Sequence, residues 1–142
     1  MKIYIAGPLF SEGERRFNEA LDELIRSCGH ETYLPQRDGG IIALMPDTVE
    51  GMPKEQYVYR KDLENLRGCD IFLLVMDGRV PDEGACVALG YCTALGKRCV
   101  GYKTDVRGAW DGQDNLMLTC SLERILRSGQ ELEDFLNRIR PF

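Results

Sequence analysis

The sequence predicts an α/β fold: one doubly wound sheet of about five parallel strands with helices on both faces. Three observations carry this. Short runs rich in β-branched residues alternate with longer stretches of helical periodicity, which implies a parallel sheet with right-handed crossovers. One of the short runs, DIFLLVM from Asp70 to Met76, is apolar without interruption inside, as a central strand covered on both faces must be. Glycines close the periodic stretches at the positions where helices stop. With 142 residues, 44% of them hydrophobic, the chain is the size of one domain with one core, and residues 1–142 are read as that domain.

Each element has its own signal. Lys2 to Ala6 (KIYIA) is a β-branched and aromatic run that stops at Gly7-Pro8. Ser11 followed by Glu14 is a capping box, and Phe17, Ala20, Leu21, Leu24, Ile25 and Cys28 continue it at 3.6-residue spacing up to Gly29. Glu31 to Leu34 reads as a second strand ended by Pro35. The segment from Gln36 to Pro53 has no sustained period and reads as an irregular loop of the kind that forms lids or substrate walls. A helix is expected from Lys54 to near Gly68, with Val58, Leu63 and Leu66 roughly on one side. After the central strand, a helix from about Asp82 to Leu95 carries Ala85, Ala88, Leu89, Cys92 and Leu95, and Cys99 to Tyr102 is a fourth strand. Thr104 to Asn115 is polar. The apolar piece Leu116 to Thr119 is taken as the fifth strand, and Ser128 to Arg138 as a closing amphipathic helix. Five strands in this arrangement suit a flavodoxin-like order.

Composition narrows the function. A formal charge of −5 argues against a nucleic acid polymer as partner, since such binding needs Lys and Arg gathered on one face. No apolar stretch is long enough for a membrane span or a signal-peptide core, so a cytoplasmic protein acting on a small polar molecule is expected. The six cysteines form no CxxC and have only His30 to join them, so buried thiols are expected and a zinc site is not. His30 itself reads as structural, which excludes most His-dependent mechanisms.

In a doubly wound sheet the loops after the first, third and fourth strands open on one edge. GPLF at 7–10, DGRVPDEG at 77–84 and TDVRGAWDGQDN at 104–115 can therefore meet over a pocket. No GxGxxG or Walker loop is present. The carboxylates Asp77, Asp82 and Glu83 gather near a helix start, where they can serve as nucleophile, general acid or acceptors for a sugar or base. An ordinary N-cap would explain Asp82 equally well. Asp62, in RKDLENL, would by default be a solvated helix residue.

Taken in order, IYIAGPLF, KDLENLRGCDIFLLVMDG, PDEGACVALGY followed by ALGK, and NLM resemble the nucleoside 2-deoxyribosyltransferase family from Ile3 to Met117. The resemblance implies exchange of the base on a 2′-deoxynucleoside through a covalent deoxyribosyl ester on a glutamate, without a metal or organic cofactor. Its substrates would be 2′-deoxynucleosides and free nucleobases. It implies that Tyr4 orients the nucleophilic carboxylate and that Asp62 and Asp82 lie near the nucleobase, one of them the general acid. Gly7, Pro8, Leu9, Phe10, Asp77, Gly78, Glu83 and Gly84 would line the substrate pocket. Asn115 and Met117 would reach into a neighbouring subunit's pocket, so that a complete site needs a homodimer or a larger homo-oligomer.

One position departs from the pattern. The family glutamate stands directly before the LGY-type tripeptide, and here that position is Ala88. A methyl cannot attack carbon, and loss of a covalent nucleophile commonly costs several decades in rate. The chain is then an engineered knockout, a natural homologue that binds without reacting, or an enzyme using another carboxylate. Glu83 is a poor substitute, because five residues along a helix leave it about 140° from the face of Ala88. Two further readings stay open: a hydrolase of 2′-deoxynucleoside 5′-monophosphates, in which Asp82 would repel the phosphate, and a non-catalytic nucleoside-binding module.

Overall fold

The computed structural model of the chain describes residues 1–108 and 111–139, so Ala109 and Trp110 of the expected loop 104–115, and the last three residues of the 1–142 span, lie outside the described residues. In chain order the elements are β1 (Lys2–Ala6), α1 (Glu12–Ser27), β2 (Glu31–Tyr33), β3 (Thr48–Val49), β4 (Met52–Pro53), α2 (Lys54–Gly68), β5 (Ile71–Val75), α3 (Glu83–Ala94), β6 (Arg98–Tyr102), α4 (Leu116–Thr119), β7 (Arg124–Leu126) and α5 (Gly129–Arg138). The main sheet runs β2-β1-β5-β6-β7 with every neighbouring pair parallel. This is the flavodoxin-like order: the chain leaves β1 toward β2, then crosses back to β5 on the other side. The reversal between β1 and β5 opens a crevice at the carboxyl ends of those strands, where open α/β sheets bind ligands.

Strand parity divides the core in two. Ile3, Ile5, Ile71, Leu73 and Val75 face α1 and α5, packing on Leu21, Ile25, Leu132 and Phe135. Tyr4, Ala6, Phe72, Leu74 and Met76 face α2 and α3, packing on Leu66, Ala85, Leu89 and Cys92. All of these side chains are buried, and each large one contributes roughly 1.5–3 kcal/mol. The register sets Tyr4 opposite Tyr33 on one side and Phe72 on the other. Their rings stack in a row, with centroids 5.0 Å and 5.9 Å from that of Tyr4.

Most elements form where their local signals lie. Ser11 and Glu14 make both halves of the capping box on α1, and Gly29, at φ 84°, follows its C-cap. Two readings are corrected. Leu116 to Thr119 is a helical turn, not the fifth strand: Asn115 caps it through Oδ1, which accepts from the Met117 N–H at 2.9 Å, and Leu116 and Met117 are exposed. The fifth strand is β7, a three-residue edge paired with Val100–Tyr102. The segment 36–53 is not irregular throughout. It holds a π-type turn at Pro35–Gly39, a 3₁₀ turn at Ile42–Leu44 and the β3–β4 hairpin, whose turn places Glu50 and Gly51 at positive φ. His30 is buried, with Nε2 3.0 Å from the Leu136 carbonyl, and four of the six cysteines are buried.

Candidate functional site

The chain leaves β1 through a turn that only glycine fits. A Cβ on Gly7 would stand 2.8 Å from Cβ of Val75 on the neighbouring strand. The residues that follow are tied down by α1. Asn18, buried, donates to the Pro8 carbonyl at 2.9 Å, and Arg15 donates to the Leu9 carbonyl at 3.0 Å. Backbone N–H groups of Phe10 and Ser11 both donate to Glu14. Asn18 also donates to Gln36 Oε1 at 3.1 Å, so one side chain holds the turn after β1 and the start of the segment after β2 together.

Opposite this turn, α2 presents Asp62 to the row of tyrosines. The Tyr33 hydroxyl donates to Asp62 Oδ1 at 3.1 Å, and the Tyr4 hydroxyl acts on the same carboxylate from the neighbouring strand. Burial pushes the Asp62 carboxyl above its ordinary value, and the two hydroxyls partly hold that rise back. Burial and the Asp62 charge push both tyrosines up in turn, so they remain donors at physiological pH. The default expectation of a solvated Asp62 is thus corrected: the helix turns it inward. Asp82 caps α3, its Oδ2 accepting from the Ala85 N–H at 2.8 Å, which places its carboxylate at the open edge of the sheet.

Asp62 and Asp82, from different helices, line one cavity of about 620 Å³. Gly7, Leu9 and Phe10 form one wall of it, and residues 40–44 with Val58 form another. Phe10 and Leu44 are three-quarters or more exposed at its rim. Two carboxylates beside apolar walls can accept hydrogen bonds from a polar ligand and, if one is protonated, return a proton to it. Neither Tyr4 nor Ala88 is among the described residues lining the cavity. Tyr4 lies behind Asp62, and Ala88 is half-buried against the cluster that contains Tyr4, Tyr33 and Leu89.

Other candidate residues sit elsewhere. Asp77 accepts from the Thr104 N–H at 2.7 Å, the Thr104 hydroxyl at 2.5 Å and the Asp105 N–H at 2.9 Å, and the Gly78 N–H donates to Asp105. These bonds fasten the loop after β5 to the loop after β6. Asn115 and Met117 line a second cavity, of about 580 Å³, with Val80, Pro81 and Cys86. Lys103, buried, holds the base of that loop by pairing with Asp114. Glu83 and Gly84 are exposed in the first turn of α3, and a Cβ on Gly84 would lie 3.2 Å from Asp82 Oδ2.

Sequence reasoning missed Tyr33 and Gly39. The signal for Tyr33 was its place at the end of the strand beside β1, with the parity that Tyr4 has. Gly39 lies where a Cβ would meet the Tyr33 hydroxyl at 3.0 Å and Asp62 Oδ1 at 3.5 Å.

Residues 3–137 match the family model described as nucleoside 2-deoxyribosyltransferase. Among solved structures, a conserved protein from Enterococcus faecalis is similar at 25% identity and a TM-score of 0.79, covering 97% of this chain and 98% of its own. A 2-deoxyribosyltransferase from Bacillus psychrosaccharolyticus is similar at 23% identity and 0.75, covering 100% and 99%. A CMP N-glycosidase from Clostridium botulinum is similar at 16% identity and 0.63, covering 99% and 100%; at these lower identities the likeness is one of fold. No curated protein matches the chain.

Proposed function

The chain belongs to the nucleoside 2-deoxyribosyltransferase family, and from that premise we propose that its cavity binds a 2′-deoxynucleoside while Ala88 leaves it unable to take up the sugar. The observation that carries this reading is the convergence of Asp62 and Asp82, from two helices, on one cavity beside the turn of Gly7, Leu9 and Phe10. In this reading the base lies between the two carboxylates. Deoxyribose, lacking its 2′-hydroxyl, ionises readily at the anomeric carbon, so a carboxylate at position 88 would trap the oxocarbenium-like centre while Asp62 or Asp82 protonates the departing base. The methyl of Ala88 offers no oxygen for that bond. The walls at 40–44 would keep water from the ester in an active relative. Asn115 and Met117, which line the other cavity, would complete the pocket of a second copy of the chain.

The test is Ala88→Glu. Base exchange between deoxyadenosine and a pyrimidine should appear in the variant at least about 10³-fold above the parent chain, the usual scale for a covalent nucleophile. A folded, assembled variant that exchanges nothing would overturn the transferase reading. A second reading, hydrolysis of 2′-deoxynucleoside 5′-monophosphates, is favoured by one observation: Arg15 lines the cavity and could meet a phosphate. Against it, that guanidinium is engaged with the Leu9 carbonyl and the cavity carries two acids. Preference for deoxyadenosine over its monophosphate in calorimetry supports the transferase-like pocket; the reverse preference supports the hydrolase.

A further inference from the structure

Tyr33 reaches the site from a strand to which no chemistry has been assigned. Its ring is buried and stacked on that of Tyr4 with centroids 5.0 Å apart, and its hydroxyl donates to Asp62 Oδ1 at 3.1 Å. Gly39 covers the pair from the segment after β2, with no room for a methyl before the Tyr33 hydroxyl is met. The phenol therefore has little room to turn, since its ring is buried against that of Tyr4 and Gly39 lies close over its oxygen.

We infer that Tyr33 is a positioning residue for Asp62: its hydroxyl holds one carboxylate oxygen in place, so that the group meets a bound base in one orientation and as an acceptor. The inference rests on the reading of the Asp62–Asp82 cavity as a nucleobase site. Burial moves a carboxyl toward its protonated form, which exchanges an acceptor for a donor and changes which base edge it recognises. Two tyrosine hydroxyls oppose that change, and of the two only Tyr33 can be removed without touching a residue to which the family resemblance gives a role. The charged and titratable groups around Asp62 are few. Tyr4 faces it from β1, Tyr33 from β2 and Lys61 from its own helix, while Arg15 and Asp82 share the cavity with it. Asp38 and Tyr57 act on the Tyr33 hydroxyl.

Tyr33→Phe keeps the ring and its stack and removes only the donor. The carboxyl carbon of Asp62, followed by carbon-detected NMR across a pH series, should titrate about one pH unit higher in the variant than in the parent chain. Gly39→Ala, which crowds the same hydroxyl from outside, should move the midpoint in the same direction. A purely structural Tyr33 would leave it in place. Unmoved midpoints in both folded variants would overturn the inference. The titration needs no ligand, so it stands apart from the nucleoside reading. That reading fails if the parent chain binds no deoxynucleoside at any pH. If it does bind, the pH at which deoxyadenosine affinity changes should rise in Tyr33→Phe by the same amount.

Discussion

At residue scale, the two sharpest constraints are a missing side chain and a missing atom. Gly7 has no room for a Cβ because Val75 lies 2.8 Å from where it would be. Gly7→Ala should therefore cost about 1–3 kcal/mol through a forced shift of β1 against β5, read as a lower urea midpoint with an unchanged slope. Ala88 is the reverse case, a position with only a methyl where the family pattern has a carboxylate. Asp82 was singled out by its place at a helix start, whereas the local pattern of Asp62 read as solvated and only the family resemblance pointed to it; one cavity is lined by both. Tyr33 was not legible in the sequence, since its role comes from a register that sets it beside Tyr4 across 29 residues of chain. Local pattern carries no trace of which strands become neighbours. Asp77 looked like a ligand group because it follows the central strand, yet its oxygens are spent on Thr104 and Asp105.

At the scale of elements, helices with strong caps and continuous periods stand where the sequence places them. The misreading at the fifth strand has a physical cause. Leu116 to Thr119 is apolar, but Asn115 supplies a cap, while β7 is a three-residue edge that begins on Arg124, is flanked by Glu123 and Arg127 and buries only Leu126. Apolarity alone cannot separate a short exposed helix from an edge strand. The segment after β2 is organised by side chains that lie on α1. Asn18→Ala would leave the Pro8 carbonyl and Gln36 without their shared donor, at a cost of about 1–3 kcal/mol. Beyond the stability loss, limited proteolysis should cut first within residues 35–44, where the wall has lost its tether. Preferential cleavage elsewhere would show that the tether lies in other contacts.

For the whole molecule, acid sensitivity follows from the carboxyl groups that the fold holds below their ordinary values. The Ser11 and Phe10 N–H groups lower Glu14, Arg98 lowers Glu123 and Arg107 lowers Asp105; at Asp38 burial works upward, but Arg37 and the Leu34 N–H outweigh it. For each, the unfolded chain binds the proton more readily. The stability they add is complete above the unfolded value and is lost as pH falls through the depressed folded one. Asp62 has the opposite sign: raised in the folded state, it favours the fold on acidification. Four lowered groups against one raised give a net loss, so the urea midpoint should fall between about pH 5 and pH 3. Asp62→Asn should make that fall steeper by removing the opposing group; an unchanged slope would mean that Asp62 titrates alike in both states.

The alternation along β1 has a practical corollary. Because odd-numbered isoleucines and even-numbered Tyr4 point to opposite layers, thermal hardening by redesign can be confined to the isoleucine side, where α5 supplies the partner surface. A library built there would tune endurance while leaving the pocket's chemistry untouched. By the same token, adding or deleting one residue within β1 would turn the strand inside out and carry Tyr4 away from Asp62.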